Sequence, residues 1–154
     1  MERIIIMFCL LSLFGGNLSS KVVLPEILSD HAVLQQQTEV NLWGKATPNT
    51  TINVTPSWNN RTITTHSDSS GRWQVSVHTP AASFIPQSID FSDDESTRIQ
   101  NILIGEVWFC SGQSNMEMPV RGFRGQPVYG SQPYIVAADS KRELRLFTVK
   151  RDWS

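Results

Sequence analysis

Between residues 21 and 103 the chain repeats one pattern, in which apolar and polar side chains alternate along short segments. Alternation with a period of two is typical of half-buried β-strands. Three of these segments are EVNLW, TINV and RWQVSV, and their apolar residues fall on one face each: Val40 and Leu42, Ile52 and Val54, and Trp73, Val75 and Val77. The turn-forming segments ATPNT, TPSWNN and SDSSG lie where hairpins need them, and no helical period occurs. Residues 21–103 are therefore predicted to form an antiparallel β-sandwich.

The pattern changes at Gly105. The run VWFC, residues 107–110, is apolar without alternation, which favours a strand covered on both faces, as in a parallel sheet. A passage rich in glycine and proline follows, then a possible helical turn near residues 135–141 and a second strand candidate, LRLFTV, at residues 144–149. Residues 104–154 are predicted to be the start of an α/β domain. Because two strands and one connection cannot close a core, that domain is expected to be incomplete, and the chain part of a longer protein.

The N-terminus is interpreted as a secretory signal peptide, residues 1–20. Its apolar run, residues 4–14, is too short to span a bilayer, and small residues follow it. The mature chain is expected to begin near Lys21 and to be secreted or periplasmic. Of the two cysteines, Cys9 would be removed with this segment. The other, Cys110, is predicted to be a small buried apolar residue rather than a reactive thiol, so no disulfide is expected.

Composition excludes several classes of function. The 154 residues carry a net charge of −1, with both signs mixed along the chain, which argues against a nucleic-acid or membrane-surface partner. The sequence contains no metal-ligand spacing, phosphate loop or dinucleotide fingerprint, so neither a metal site nor a cofactor is predicted. No membrane insertion is expected after signal cleavage, and the oligomeric state is left open.

The segment GEVWFCSGQSNMEMP, residues 105–119, has the order strand, small-residue turn, helix start. A serine at that point, Ser114, would be presented where ligands bind in open α/β sheets, and helical N–H groups could stabilise an oxyanion beside it. Gly112 would allow the tight turn. The alternative is a capping box, in which Ser114 caps the helix and Glu117 reaches back. Pro119 makes any such helix short, but spacing alone leaves both interpretations open.

The motif SGQSNME after GEVW resembles the sialate O-acetylesterase family of SGNH-type hydrolases. The segments SDHAVLQQ, VNLWGKA, DSSGRWQV and RLFTV are similar to the same family, so the resemblance covers nearly the whole mature chain. It implies that Ser114 is the nucleophile of a serine esterase that removes acetyl groups from O-acetylated sialic acid or related glycans. Its own N–H would be one oxyanion donor. In the family a further glycine, an asparagine and a D-x-x-H block come from later sequence, which this chain lacks.

Neighbouring side chains receive more modest roles. The amides of Gln113 and Asn115 are expected to support the nucleophile turn or to touch substrate. Glu106 and Glu117 are expected to be solvated or capping, and Trp108 to pack in the sheet. The sandwich tryptophans Trp43, Trp58 and Trp73 are either core residues or a platform on which sugars stack.

No histidine follows the serine. The three histidines, His31, His66 and His78, precede it and are interpreted as ordinary sandwich residues. The chain alone is therefore expected to be nearly inactive, because a serine hydroxyl without a base is a poor nucleophile. The competing hypothesis is a non-catalytic carbohydrate-binding or scaffold module.

Overall fold

The computed structural model describes residues 21–138 and 143–149. The predicted signal peptide lies outside these residues. The described chain forms the following elements: β1 (Val33–Gln35), β2 (Glu39–Lys45), β3 (Thr51–Pro56), β4 (Ile63–His66), β5 (Arg72–His78), β6 (Ser83–Ser92), β7 (Ser96–Gly105), α1 (Ser114–Glu117), β8 (Gly122–Phe123), β9 (Gln126–Pro127) and α2 (Gln132–Val136). The predicted mainly β fold is confirmed.

The first seven strands form two sheets that enclose one core. Five strands make a sheet in the order β1-β7-β6-β3-β4, and β2 pairs with β5 in a second sheet. The pairing of β2 with β5 is antiparallel and places Val40 opposite Val77 and Leu42 opposite Val75. Strands β8 and β9 form a separate small hairpin after α1.

The alternating side chains face the core, as their period predicts. Leu42, Ile52 and Val54 are fully buried, and Trp73 is nearly so. The Trp73 ring meets Phe91 of β6 with centroids 5.8 Å apart at 49°, a tilted arrangement favourable for two aromatic rings. Apolar burial of this kind is the main stabilising contribution to such a domain.

One pairing corrects the prediction of a purely antiparallel sandwich. Strand β1 lies parallel to β7, with Val33 opposite Leu103 and Gln35 opposite Gly105. The two strands are joined through the whole intervening sandwich, so no hairpin sets their relative direction. The edge of the larger sheet is therefore built from the SDHAVLQQ segment and the strand that leads to the serine motif.

The turns also differ from the prediction. Only TPSWNN joins two strands that pair with each other, β3 and β4. ATPNT and SDSSG instead connect strands of different sheets. In SDSSG the Asp68 carboxylate accepts hydrogen bonds from the backbone N–H groups of Ser70 at 2.7 Å and Arg72 at 2.9 Å. These bonds, and above all the Ser70 hydroxyl, lower the pKa of Asp68 from 3.8 to about 2.

Candidate active site around Ser114

The segment that leads to Ser114 leaves the sandwich at the end of β7 and has no regular structure over residues 106–113. The predicted strand VWFC is therefore wrong. Trp108 is 81% exposed and Phe109 89%, and Cys110 is exposed rather than buried. A strand covered on both faces needs neighbours on either side, and no strand of the described residues pairs with this segment.

The second strand candidate and the expected helical turn also differ from prediction. Residues 144–149 form no strand, and Leu146 and Val149 are exposed. The helical turn forms earlier than expected, as α2 at Gln132–Val136. Part of its predicted range, residues 139–141, lies outside the described residues.

Ser114 is the first residue of α1, and its side chain is exposed. The N-cap is Gln113, whose side chain makes no capping hydrogen bond within the described residues, so Ser114 does not hold the N-cap position that the capping-box interpretation requires. The helix ends at Glu117, with Met118 already extended before Pro119, as the proline predicts. Four residues generate little macrodipole, so oxyanion stabilisation here would come from individual N–H groups of the first turn.

The residues predicted to support the nucleophile turn all lie beside Ser114. The backbone carbonyl of Gln113 accepts a hydrogen bond from the Met116 N–H at 2.9 Å, which closes the turn. A Cβ at Gly112 would lie 2.6 Å from Cγ of Met116, so a larger residue there would force Met116 to move. Gly112 therefore allows the Met116 side chain to pack closely against the turn.

Asn115 borders a shallow depression next to the serine turn. The depression has a volume of about 320 Å³ and is lined further by Pro119, Val128, Tyr129 and Tyr134, and by the buried Ser131. Asn115 thus lines a concave, mainly apolar surface that begins one residue after the candidate nucleophile.

The three histidines belong to the sandwich, and each has a hydrogen-bond partner there. His31 Nδ1 lies 2.8 Å from the Asn101 amide nitrogen. His66 Nδ1 lies 3.2 Å from the Thr51 hydroxyl, and His78 Nδ1 lies 3.0 Å from a Glu39 carboxylate oxygen. Their positions agree with the interpretation as sandwich residues, and the sequence contains no histidine after residue 78.

Glu106, expected to be solvated, is exposed but firmly bonded. Its carboxylate accepts hydrogen bonds from the side-chain amides of Gln35 at 3.1 Å and Gln36 at 2.7 Å. The hydrogen bond from Gln35, which has the larger effect, and the one from Gln36 lower the pKa of Glu106 below its ordinary value of 4.5. The start of the serine segment is therefore tied to the sandwich by polar side chains.

Arg145 ties the later segment, residues 143–149, to the same edge of the sandwich. Its guanidinium donates to the backbone carbonyls of Ala32, at 3.2 Å, and Asn101, and to the Asn101 side-chain oxygen at 3.0 Å. Glu143 lies 3.8 Å from the same group, and the Arg145 side chain is only 19% exposed. A forked, planar donor is suited to bind several oxygens at once.

Replacing Arg145 with methionine is expected to release residues 143–149 from the sandwich, because methionine keeps the apolar stem but donates no hydrogen bond. Limited digestion with chymotrypsin should show cleavage after Leu146 and Phe147 accelerating about tenfold, because a protease needs the segment released from the sandwich. The matched control is Arg98→Met, which removes a half-exposed surface ion pair with Asp90. Equal cleavage rates in the two variants would contradict the docking role of Arg145.

A larger groove lies on the sandwich itself. It has a volume of about 780 Å³ and is lined by Trp43, Lys45, Asp68, Arg72 and Gln74, among others. Trp43 is 43% exposed, whereas Trp73, at the groove wall, is buried, and its indole nitrogen has no hydrogen-bond partner among the residues that the structure describes. Trp58 is partly buried against the core, and its indole donates to the His78 carbonyl at 3.0 Å. Trp43 and Trp73 line this groove together.

Within residues 21–138 and 143–149, no group of three acidic, histidine or cysteine side chains is arranged to hold a metal ion. No helix in the same ranges is long and apolar enough to span a membrane.

Comparison with known proteins begins with the fold. No protein-family model matches the chain. Among solved structures, it is similar to a carbohydrate acetylesterase from Xanthomonas citri, with a TM-score of 0.59 and 33% sequence identity over 65% of this chain and 23% of that chain. Fold and sequence together thus relate the chain to carbohydrate acetylesterases.

Among carbohydrate acetylesterases, the chain is similar in sequence to sialate O-acetylesterases. The chain is 28% identical over 131 residues to the sialate O-acetylesterase of Mus musculus and 31% identical over 131 residues to that of Rattus norvegicus. Each match covers 79% of this chain and 23% of the relative, so the chain spans less than a quarter of these relatives' length. The resemblance predicted from the motifs is confirmed: the chain is related to the sialate O-acetylesterase family.

Proposed function

We propose that this chain supplies the sandwich and the nucleophile-bearing segment of a carbohydrate O-acetylesterase, which removes acetyl groups from O-acetylated sialic acid or related glycans. The observation that carries the proposal is the position of Ser114. It is exposed at the start of α1, in the GQSN motif, with its side chain not used as a helix cap. The main alternative was that the Ser114 hydroxyl serves as the helix N-cap, and Gln113 holds that position instead.

The proposed reaction begins with attack of the Ser114 oxygen on the acetyl carbonyl, as its proton passes to a general base. The bond from acetyl carbon to sugar oxygen then breaks, and the sugar oxygen takes a proton. Water hydrolyses the resulting acetyl-serine and releases acetate. The backbone N–H of Ser114 would donate to the oxyanion formed at each attack. Since the three histidines precede residue 79, the base is proposed to come from sequence beyond this chain.

The test is acetate release from a panel of acetylated sugars, including O-acetylated sialic acid and acetylated xylan. Two proteins are compared: the full reading frame that contains this chain, and residues 21–154 alone. Acetate release by the long protein, with none above background from the short one, is expected. Absence of release from every acetylated sugar by a folded long protein would overturn the proposal.

The second candidate function is a carbohydrate-binding module, and the groove with Trp43 favours it. Exposed indoles stack on sugar rings, and Lys45, Asp68 and Gln74 add hydrogen-bonding groups around the same groove. Glycan-array binding by the sandwich that disappears in Trp43→Ala, combined with no acetate release by the long protein, would support this candidate instead.

We also propose that the protein is secreted or periplasmic, on the strength of the apolar run at residues 4–14. Recovery of a product outside the cytoplasm whose N-terminus lies near Lys21 would support this. An uncut N-terminus in the cytoplasm would contradict it.

A further inference from the structure

Two consecutive glutamines at the end of β1 converge on one carboxylate. Gln35 lies opposite Gly105, the last residue of β7. The residue that follows β7, Glu106, therefore lies directly beside the glutamines. Gln35 donates to one carboxylate oxygen of Glu106 at 3.1 Å, and Gln36 donates to the other at 2.7 Å. We call Gln35, Gln36 and Glu106 the amide clamp.

The opposite ends of both glutamine amides are also used. The side-chain oxygen of Gln35 accepts from the backbone N–H of Val107 at 2.8 Å. That of Gln36 accepts from the backbone N–H of Ala82 at 2.8 Å. Each amide therefore bridges two groups, and one bridge ends on the backbone of the segment that carries the candidate nucleophile.

The amide clamp lies directly beyond the last backbone hydrogen bond between β1 and β7. The Gln36 N–H donates to the Gly105 carbonyl at 2.9 Å, which is the last backbone hydrogen bond between the β1 and β7 segments. Beyond it, side chains of the amide clamp supply the hydrogen bonds that β-pairing would otherwise provide. Bonds to an ionised carboxylate are stronger than those between neutral groups, so Glu106 is well suited to hold this point.

We propose that Gln35, Gln36 and Glu106 are positioning residues, which fix the point where the chain leaves the sandwich and thereby place the segment that carries Ser114. Their catalytic consequence rests on the proposed esterase function. The clamp itself does not, because it consists of hydrogen bonds between residues of the described chain. The lowered pKa of Glu106 agrees with a carboxylate that is held ionised by two donors.

A charge swap tests the geometry of the clamp. Gln35→Glu alone places two carboxylates against each other and should break the clamp. Adding Glu106→Gln restores complementarity, because the new amide can donate to the carboxylate introduced at position 35 and accept from Gln36. The second oxygen of that introduced carboxylate stays free to accept from the Val107 N–H. If these residues were only exposed polar side chains, the double variant would not recover the hydrogen bonds that the single variant loses.

The first readout is amide hydrogen exchange at Val107, followed by NMR in residues 21–154. The expected result is exchange about tenfold faster in Gln35→Glu and within about twofold of wild type in the double variant. Exchange at the buried strand residue Ile89 should not change, which shows that the sandwich remains folded. The matched control is Gln100→Glu, an exposed position on β7. No acceleration at Val107, or no recovery in the double variant, would overturn the clamp.

The second readout is catalytic and uses the full reading frame. If the clamp positions Ser114, Gln35→Glu should lower kcat about tenfold or more with little change in KM, and the double variant should regain most of it. Normal kcat despite fast Val107 exchange would overturn the positioning role and leave the clamp standing. No acetate release by the wild type would overturn the proposed function, and the positioning role with it, without affecting the exchange result.

Discussion

Replacing Phe91 with alanine is expected to lower the free energy of unfolding of the sandwich by about 3–5 kcal/mol, the usual cost of truncating a buried phenylalanine. Phe91 is fully buried in β6, and its ring packs against Trp73 at 5.8 Å. Alanine would leave a cavity between the two sheets. Because small domains have about 5–15 kcal/mol of stability in total, this one change should remove a large part of it.

The control for Phe91→Ala is Phe84→Ala, because the same residue type lies on the same strand with 80% of its surface exposed. Its effect should stay within about 0.5 kcal/mol, as is usual for surface positions. Chemical denaturation of residues 21–154, followed by tryptophan fluorescence, gives both values. Similar losses in the two variants would show that the inner face of β6 has been assigned wrongly.

Replacing Ser114 with alanine in the full reading frame is expected to reduce acetate release by about a thousandfold or more, since no acetyl-serine can form. Folding should be unaffected, because the side chain is exposed and does not cap α1. The measurement is kcat for acetate release from an O-acetylated sugar, with the thermal midpoint of each variant recorded beside it.

The control for Ser114→Ala is Ser111→Ala, a second exposed serine in the same segment. That variant should keep kcat within about threefold of wild type, as expected for a surface side chain outside the reaction. If Ser111→Ala were inactive and Ser114→Ala retained normal turnover, the nucleophile would have been assigned to the wrong serine.

The strands of the sandwich could be predicted because their signal is local. Each of β2, β3 and β5 has one buried face, so apolar residues such as Leu42, Val54 and Val75 alternate with polar neighbours along their own strands. The short α1 was predictable for the same reason, because Pro119 limits any helix that starts at Ser114.

The strand pairing could not be read from local sequence. The parallel contact of β1 with β7 joins residues about seventy positions apart, and nothing in VLQ or NILIG states the partner. The same holds for the bonds from Gln35 to Glu106 and from Arg145 to Ala32, which link distant polar residues without any periodic signal. SDHAVLQQ and RLFTV stood out in the sequence only because they resemble segments of the sialate O-acetylesterase family.

The predicted strand VWFC was wrong for a different reason. Its composition is typical of a strand buried between neighbours, but burial requires those neighbours to be present. Among the described residues none pairs with it, and Trp108 and Phe109 remain exposed. Apolar composition therefore predicted an environment that this part of the chain does not itself provide.

The most direct test of Ser114 as the nucleophile is to trap the acetyl-enzyme. The full-length protein is mixed with an activated acetyl ester, quenched in acid within the first turnover and digested, and its peptides are analysed by tandem mass spectrometry. The account predicts one acetyl group on Ser114 and none in Ser114→Ala. Acetylation of a different residue that persists in Ser114→Ala and turns over at the rate of acetate release would contradict it.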